Sequence, residues 1–185
     1  MGDDAELVRR WQNGDPAAFE ALVRRWQRPV ARFLTRMIGP SGLVPDLCQE
    51  VFLRVHLHRH RYRAQGCFST WLYSIALNLV RDTARRSARS YVALPEEGPA
   101  ANGPPADCAW ERRELGEAID VALDRLPLPL REVLVLRHYQ SLSFEDMARL
   151  LGTPASTLKS RFAVALRRMQ QLLTALGWGE EELST

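Results

Sequence analysis

The sequence has only three cysteines among its 185 residues: Cys48, Cys67 and Cys108. Their odd number and wide spacing differ from the CxxC spacing typical of zinc sites and redox motifs. The segment HLHRHRYR adds three histidines, of which only His56 and His60 would share a helical face. Two ligands are too few for a structural metal site. We expect reduced thiols and no metal, while a sensing role for Cys48 with these histidines stays open as an alternative.

Long hydrophobic runs are also absent. Runs such as VLVL are far shorter than the roughly 20 residues that span a bilayer, and no charged and then apolar leader opens the sequence. The sequence lacks a phosphate-cradling glycine loop, a metal-ligand quartet and a nucleophile triad. We therefore expect a cytoplasmic protein that does not insert into a membrane, is not an enzyme and needs no cofactor.

Charge is distributed unevenly along the chain, although the net charge is only +3. Residues 1–90 contain 15 arginines and 8 acidic residues, whereas residues 111–185 contain 10 basic and 11 acidic residues. The first half is therefore where a polyanion such as nucleic acid would be attracted. A solvated, arginine-rich surface without a partner would explain the same charge.

The segment ARSYVALPEEGPAANGPPADCAW separates two regions of helical periodicity. It combines proline, glycine, alanine and acidic residues without apolar periodicity, which predicts a flexible linker at residues 91–110. No stretch alternates apolar and polar residues as a strand does. The predicted fold class is all-α, with two small helical domains, 1–90 and 111–180, of which the C-terminal one contains a helix-turn-helix.

Local signals predict several helix ends in the first domain. Asp15 is placed as an N-cap before Pro16 at the first helical position, and Gly39 ends the same helix. Ser69 is predicted to cap a later helix, with Phe68 packing against its first turn. The apolar stripe of that helix is predicted to contain Phe68, Trp71, Leu72, Ile75, Ala76 and Leu79.

The second domain contains the signature of two helices joined by a tight turn. Ser143 is predicted to cap a short helix with Asp146 as its capping-box partner, and Gly152 to end it. Thr153 is predicted to cap the next helix, with Pro154 in its first turn. The apolar stripe of this last helix is predicted to contain Leu158, Phe162, Ala165, Leu166 and Met169.

The opposite face of the last helix is small and polar, and it includes the only lysine of the chain. Its residues are Ala155, Ser156, Lys159, Ser160 and Ala163. A face this short can enter a DNA major groove about 12 Å wide, where hydroxyls and one long cation reach bases and phosphates. The pattern therefore predicts duplex DNA binding. An amphipathic helical hairpin with an ordinary solvent face is the alternative.

Two further patches lie in the first domain. The segment FSTWLYSIALNLVRDTARR has aromatic, amide and basic residues outside its apolar stripe. Such groups can bind unstacked bases and phosphates. A half-buried tyrosine and a solvated helix end would give the same pattern. Asp46, Gln49 and Glu50 share one edge of another helix and predict a basic protein partner. Complementation of the helix dipole explains part of Asp46 equally well.

Four segments together resemble the bacterial sigma factors of the sigma-70 family, in the two-domain extracytoplasmic function group. These segments are DPAAFEALVRRW, DLCQEVFLR, FSTWLYSIALNLVRD and LPLPLREVLVLRHYQSLSFEDMARLLGTPASTLKSRFAVALRRM. The resemblance implies a dissociable subunit that recruits core RNA polymerase to promoter DNA and helps to open it. It also implies control by an anti-sigma factor, which the sequence does not identify.

The resemblance also implies three sets of binding residues. Docking on the polymerase would use Asp46, Gln49, Glu50 and Arg54. Reading the separated strand of the minus-ten element would use Gln65, Phe68, Thr70, Trp71, Tyr73, Asn78, Arg81 and Arg85. Reading the minus-thirty-five element as duplex would use Thr153, Ser156, Thr157, Lys159, Ser160, Arg161, Ala163 and Arg167.

This sequence departs from the family pattern at Val164, where many members have a further basic residue. We therefore expect fewer phosphate contacts from the last helix. A stand-alone helix-turn-helix regulator, whose first domain binds an effector or partner, is the alternative function. A structural or interaction protein that does not bind DNA comes third.

Overall fold

The computed structural model describes residues 2–62, 67–89 and 109–178. Within these ranges the chain forms eight α-helices and no strand, so the predicted all-α fold class is confirmed. A 3₁₀ turn at Arg59–Arg61 follows the third helix, and one π-helical turn at Val135–Tyr139 continues the sixth. The helices are α1 (Gly2–Gln12), α2 (Pro16–Ile38), α3 (Val44–Leu57), α4 (Phe68–Arg89), α5 (Ala109–Asp124), α6 (Leu128–Leu134), α7 (Phe144–Leu151) and α8 (Ala155–Ala175).

The ends of α2 form as the sequence predicts. The Asp15 carboxylate accepts hydrogen bonds from the backbone N–H groups of Ala17 and Ala18, at 2.9 and 3.3 Å, and Pro16 is the first helical residue. The Arg10 side chain donates to the same carboxylate and is the main reason that the pKa of Asp15 is lowered. Gly39 ends the helix with a φ of 77°, which glycine adopts without strain.

The predicted start and stripe of α4 need correction. The helix begins at Phe68, so Ser69 lies inside its first turn and does not cap it. The buried surface of α4 is also wider than the predicted stripe, because Tyr73, Leu77 and Val80 are each no more than 2% exposed. The reason is that α4 contacts α1, α2, α3 and α7, and so packs on more than one side.

The helix-turn-helix of the second half forms where it was predicted. The Ser143 hydroxyl accepts a hydrogen bond from the backbone N–H of Asp146 at 3.0 Å and donates to its carboxylate at 2.6 Å. Gly152 ends α7 in the left-handed conformation, with a φ of 63°. The Phe144 and Phe162 rings, with centroids 5.8 Å apart, pack α7 against α8.

The predicted cap of α8 is wrong. Pro154 precedes the helix with an extended ψ of 141°, so Ala155 is the first helical residue and Pro154 occupies the cap position. The Thr153 hydroxyl is directed backwards and donates to the Leu151 carbonyl at 3.4 Å. Proline has no side-chain acceptor, so no side chain caps the first backbone N–H groups of α8.

The two halves of the chain pack against each other. The end of α2 contacts α5, α6 and the π-helical turn, and α4 contacts α7. Most of the predicted linker lies outside the described residues, and α5 already begins at Ala109. The part of the chain that the structure describes contains no helix that is both long and apolar enough to cross a bilayer.

Candidate nucleic-acid and protein interfaces

The outward face of α8 is small, polar and accessible. Six predicted duplex-reading residues are exposed, namely Ser156, Thr157, Lys159, Ser160, Ala163 and Arg167. Thr153 and Arg161 are half-buried at the margins of this face. Leu158 is fully buried and fixes the helix to the core. The prediction that Leu166 shares this buried stripe is wrong, because its side chain is 47% exposed.

The groups on this face differ in how free they are to bind. The Ser160 hydroxyl donates to the Ser156 carbonyl at 3.2 Å, within the helix. The Lys159 ammonium lies 5.8 Å from the centroid of the Phe144 ring and is otherwise accessible. Two exposed cations, Lys159 and Arg167, therefore stand among shorter side chains, so the helix backbone can approach DNA while a cation contacts a base edge or phosphate.

The predicted single-strand surface on α4 is only partly accessible. Asn78 and Arg85 are exposed, whereas Thr70 and Trp71 are half-buried. The Trp71 ring packs against the rings of Tyr62 and Phe68, with centroids 5.2 and 6.0 Å away, so part of it is already in contact with the core. Gln65 lies outside the described residues.

Phe68 and Tyr73 do not form stacking platforms in this structure. They are 3% and 2% exposed. The Tyr73 ring lies 5.0 Å from that of Phe33 and 6.1 Å from that of Trp26, and burial raises the pKa of its hydroxyl to about 12. Both side chains therefore contribute to the core, and we correct their predicted role as base contacts in this conformation.

The two arginines of this set differ in their partners. Arg81 donates from Nε and Nη2 to the two carboxylate oxygens of Glu132, each at 2.7 Å, and this pair is the main reason that the pKa of Arg81 is raised. Arg85 lies 3.3 Å from the Asp82 carboxylate and stays largely exposed. Arg81 is therefore engaged by the second half of the chain, whereas Arg85 remains accessible to phosphate.

The predicted polymerase-docking residues lie on α3. Asp46 and Gln49 are exposed, and Glu50 is half-buried. The Arg54 Nε donates to the Glu50 carboxylate at 2.7 Å, one turn away. The second guanidinium contact of Arg54 reaches Asp82 of α4 at 4.0 Å. These pairs hold a mixed acidic and basic surface in place.

Sequence reasoning missed two leucines that extend this surface. Leu53 and Leu57 are 52% and 64% exposed. They follow Asp46 and Gln49 at helical spacing and form one outward stripe of α3, opposite the buried Val51 and Val55. The signal was present, because these leucines fall outside the apolar period of the helix. The two leucines give this charged surface an apolar component.

The cysteine and histidine alternatives find little support in the described residues. Burial raises the pKa of the Cys48 thiol, which donates to the Gln27 carbonyl at 3.8 Å, so its thiolate is disfavoured. The His56 ring packs beside Phe19 and Trp11, with centroids 5.0 and 6.1 Å away. Across residues 2–62, 67–89 and 109–178, no three histidine, cysteine or acidic side chains are grouped to hold a metal ion.

Comparisons with known proteins agree with this arrangement. The Sigma-70 region 2 family matches residues 22–90, and the Sigma-70 region 4 family matches residues 116–169. The chain is 34% identical to the ECF RNA polymerase sigma-E factor of Escherichia coli over 85% of this chain and 87% of that protein. It is 30% identical to the RNA polymerase sigma-H factor of Pseudomonas aeruginosa over 94% of this chain and 95% of that protein.

A solved structure shares the fold. It is the sigma factor RpoE in complex with the anti-sigma factor NepR from Bartonella quintana, with a TM-score of 0.67 and 21% identity. The match covers 84% of this chain and 96% of that chain. At this identity the likeness supports the fold alone.

Proposed function

Because the chain belongs to the extracytoplasmic function sigma factors of the sigma-70 family, we propose that it recruits core RNA polymerase to promoters through three surfaces of its own. The observation that carries this proposal is the exposed face of α8, where Lys159 stands among short side chains while Leu158 anchors the helix from behind. This face fits a major groove and would read the minus-thirty-five element as duplex.

The second surface is the accessible side of α4. We propose that Asn78 binds an unpaired base of the minus-ten element, because an exposed amide can match both donor and acceptor groups on a base edge. Arg85 would follow the phosphates of the same strand. Thr70 and Trp71 are half-buried and would contribute at the margin of this surface. Binding energy for the unpaired strand would offset the cost of melting, so the chain itself needs no nucleotide hydrolysis.

The third surface is the outward stripe of α3. Its acidic and amide groups, Asp46, Gln49 and Glu50, would meet a basic surface of the polymerase, with Arg54 holding Glu50 in place. The exposed leucines Leu53 and Leu57 add apolar area that such an interface would bury. Charged groups would set the orientation, and the leucines would supply affinity.

A third partner, besides promoter DNA and core polymerase, is suggested by the relatives. The RpoE protein of Bartonella quintana is held by an anti-sigma factor, and we propose that an anti-sigma factor also controls this chain. Sigma factors are initiation subunits without catalytic activity of their own, and we propose the same here, with no cofactor. Its place of action would be the cytoplasm, where the polymerase works.

Transcription by purified core polymerase tests the proposal, with and without the protein, on a genomic promoter library. We expect new, discrete start sites only in its presence. Lys159→Ala should weaken promoter binding by about 1–3 kcal/mol if the ammonium contacts a base, or lower the salt slope by about one if it contacts phosphate.

Arg24→Ala is the control, because Arg24 is an exposed cation of α2 that lies outside all three proposed surfaces. Its loss should leave start-site selection unchanged. Tight duplex binding without any response of the polymerase would instead favour the stand-alone regulator. Equal effects of the two substitutions would remove Lys159 from the reading face.

A further inference from the structure

A buried ion pair links the two halves of the chain at the surface proposed to hold single-stranded DNA. The Arg81 guanidinium of α4 and the Glu132 carboxylate of α6 form two parallel hydrogen bonds of 2.7 Å. The Glu132 side chain is only 6% exposed, and that of Arg81 30%. Such a two-pronged pair is directional and stronger than a single contact between exposed charges.

Arg131, the neighbour of Glu132, fastens the same halves at a second point. Its Nη1 donates to the Met37 carbonyl at the end of α2, at 2.8 Å, and to the Asp124 carboxylate at 2.9 Å. Its Nη2 donates to the carbonyls of Asp124 and Leu126. The Met37 carbonyl belongs to the last turn of α2, where carbonyls lack helical partners. Arg131 therefore satisfies an orphan acceptor of the other half.

A third contact lies beside the second. The Arg36 guanidinium stacks on the Tyr139 ring, 3.8 Å from its centroid. Next to it, a Cβ at Gly39 would come within 3.3 Å of the Asp124 carboxylate, so a glycine there permits close approach. We call the three contacts Arg81–Glu132, Arg131–Met37 and Arg36–Tyr139 the clasp.

The clasp conflicts with simultaneous reading of both promoter elements. The centres of the minus-thirty-five and minus-ten elements lie about 25 base pairs apart, which is roughly 85 Å at 3.4 Å per step. In the clasped structure α7 of the helix-turn-helix packs directly on α4, which carries Asn78. One clasped molecule therefore cannot place its two reading surfaces on the two elements, and the halves must separate first.

The clasp also occupies a group that DNA would use. Arg81 faces the side of α4 assigned to the strand, and a carboxylate and a phosphate present the same two-oxygen geometry to a guanidinium. We propose that the clasp holds a closed form in which Glu132 takes the place of a DNA phosphate on Arg81, so that opening the clasp and capturing the strand are one event. This inference rests on the proposed function and adds a regulation of its strand-binding site.

The test combines a shape measurement with transcription. Small-angle X-ray scattering on the full chain should give a radius of gyration near that of one compact body of 185 residues, about 16 Å. Glu132→Gln keeps the shape of the side chain but removes its charge, and should increase this radius by several ångströms. At limiting protein concentration, the Glu132→Gln variant should give on the order of tenfold more open complex with core polymerase than the wild-type chain.

A second variant and a control distinguish loss of the Arg81–Glu132 pair from a general effect of removing a charge. Arg81→Lys retains a cation for phosphate but loses the two-pronged geometry, so it should change both readouts in the same direction, by less. Glu145→Gln removes an exposed charge of α7 outside the clasp and should change neither. Circular dichroism of each variant should show unchanged helix content.

The outcomes separate this inference from the proposed function. Expansion and more open complex in both clasp variants support it. A wild-type chain that is already extended, or clasp variants that leave both readouts unchanged, would overturn it even if the protein directs transcription normally. Expansion without a gain in open complex would refute the competition for Arg81. A wild-type chain that directs no transcription with core polymerase would refute the proposed function, whatever the scattering shows.

Discussion

Two leucines of α8 provide a matched test of how the duplex-reading helix is oriented. Leu158 is fully buried, whereas Leu166, two turns further along, is 47% exposed. Truncating a buried leucine to alanine removes contacts and leaves a cavity, at a cost of about 2–5 kcal/mol. The same change at an exposed position of a helix costs within about 0.5 kcal/mol, and alanine has the higher helix propensity. We expect the two substitutions to differ by about 3 kcal/mol.

Urea unfolding followed by circular dichroism measures this difference. With a slope of about 1–3 kcal/mol per molar urea, Leu158→Ala should lower the midpoint of unfolding by on the order of 1–2 M, and Leu166→Ala should leave it nearly unchanged. Equal losses of stability would show that Leu166 is buried as well. In that case α8 would be rotated, the face containing Lys159 would not point outward, and the reasoning for duplex reading would be refuted.

Three further predictions concern the other surfaces and the helix cap. Asn78→Ala should abolish open complexes, measured by permanganate reactivity, while closed complexes persist; equal loss of both would indicate misfolding or a duplex contact. Glu50→Arg should prevent co-purification with core polymerase, whereas Glu20→Arg, on the exposed side of α2, should not; normal association of the first variant would remove Glu50 from the interface. Ser143→Ala should cost about 1 kcal/mol in urea unfolding by removing the cap of α7. It should also raise the pKa of Asp146, which the Ser143 hydroxyl chiefly lowers from 3.8. Since a lowered acid pKa stabilises the fold above that value and the gain is lost as the pH falls through the folded-state pKa, the variant should lose less stability on acidification; an unchanged NMR titration of Asp146 would contradict this.

Local signals predicted the turns of this protein well. Asp15, Ser143 and Gly152 act through hydrogen bonds or dihedral angles within a few residues of themselves, so their roles can be inferred from the sequence around them. Ser69 and Thr153 are the exceptions among such signals. Ser69 lies inside α4, which begins at Phe68, and Pro154 takes the cap position of α8 that was predicted for Thr153.

Long-range packing could not be inferred in the same way. Tyr73 lies off the apolar stripe of α4, yet it is buried because neighbouring helices cover the helix on more than one side. Arg81 looked like a free cation because its partner, Glu132, is 51 residues away in the chain. Leu166 matches the apolar period of α8, but no neighbouring element covers it. Each of these errors concerns which helix packs on which face, and a single sequence contains no direct record of that.

Footprinting of one promoter complex tests the central claim most directly. Hydroxyl-radical cleavage and permanganate oxidation would be applied to the same complex of core polymerase, this protein and a responsive promoter. We predict a protected duplex segment upstream and, about 25 base pairs downstream, reactive thymines on an unpaired strand, with both signals lost when the protein is omitted. A single uninterrupted protected duplex without reactive thymines would contradict the account.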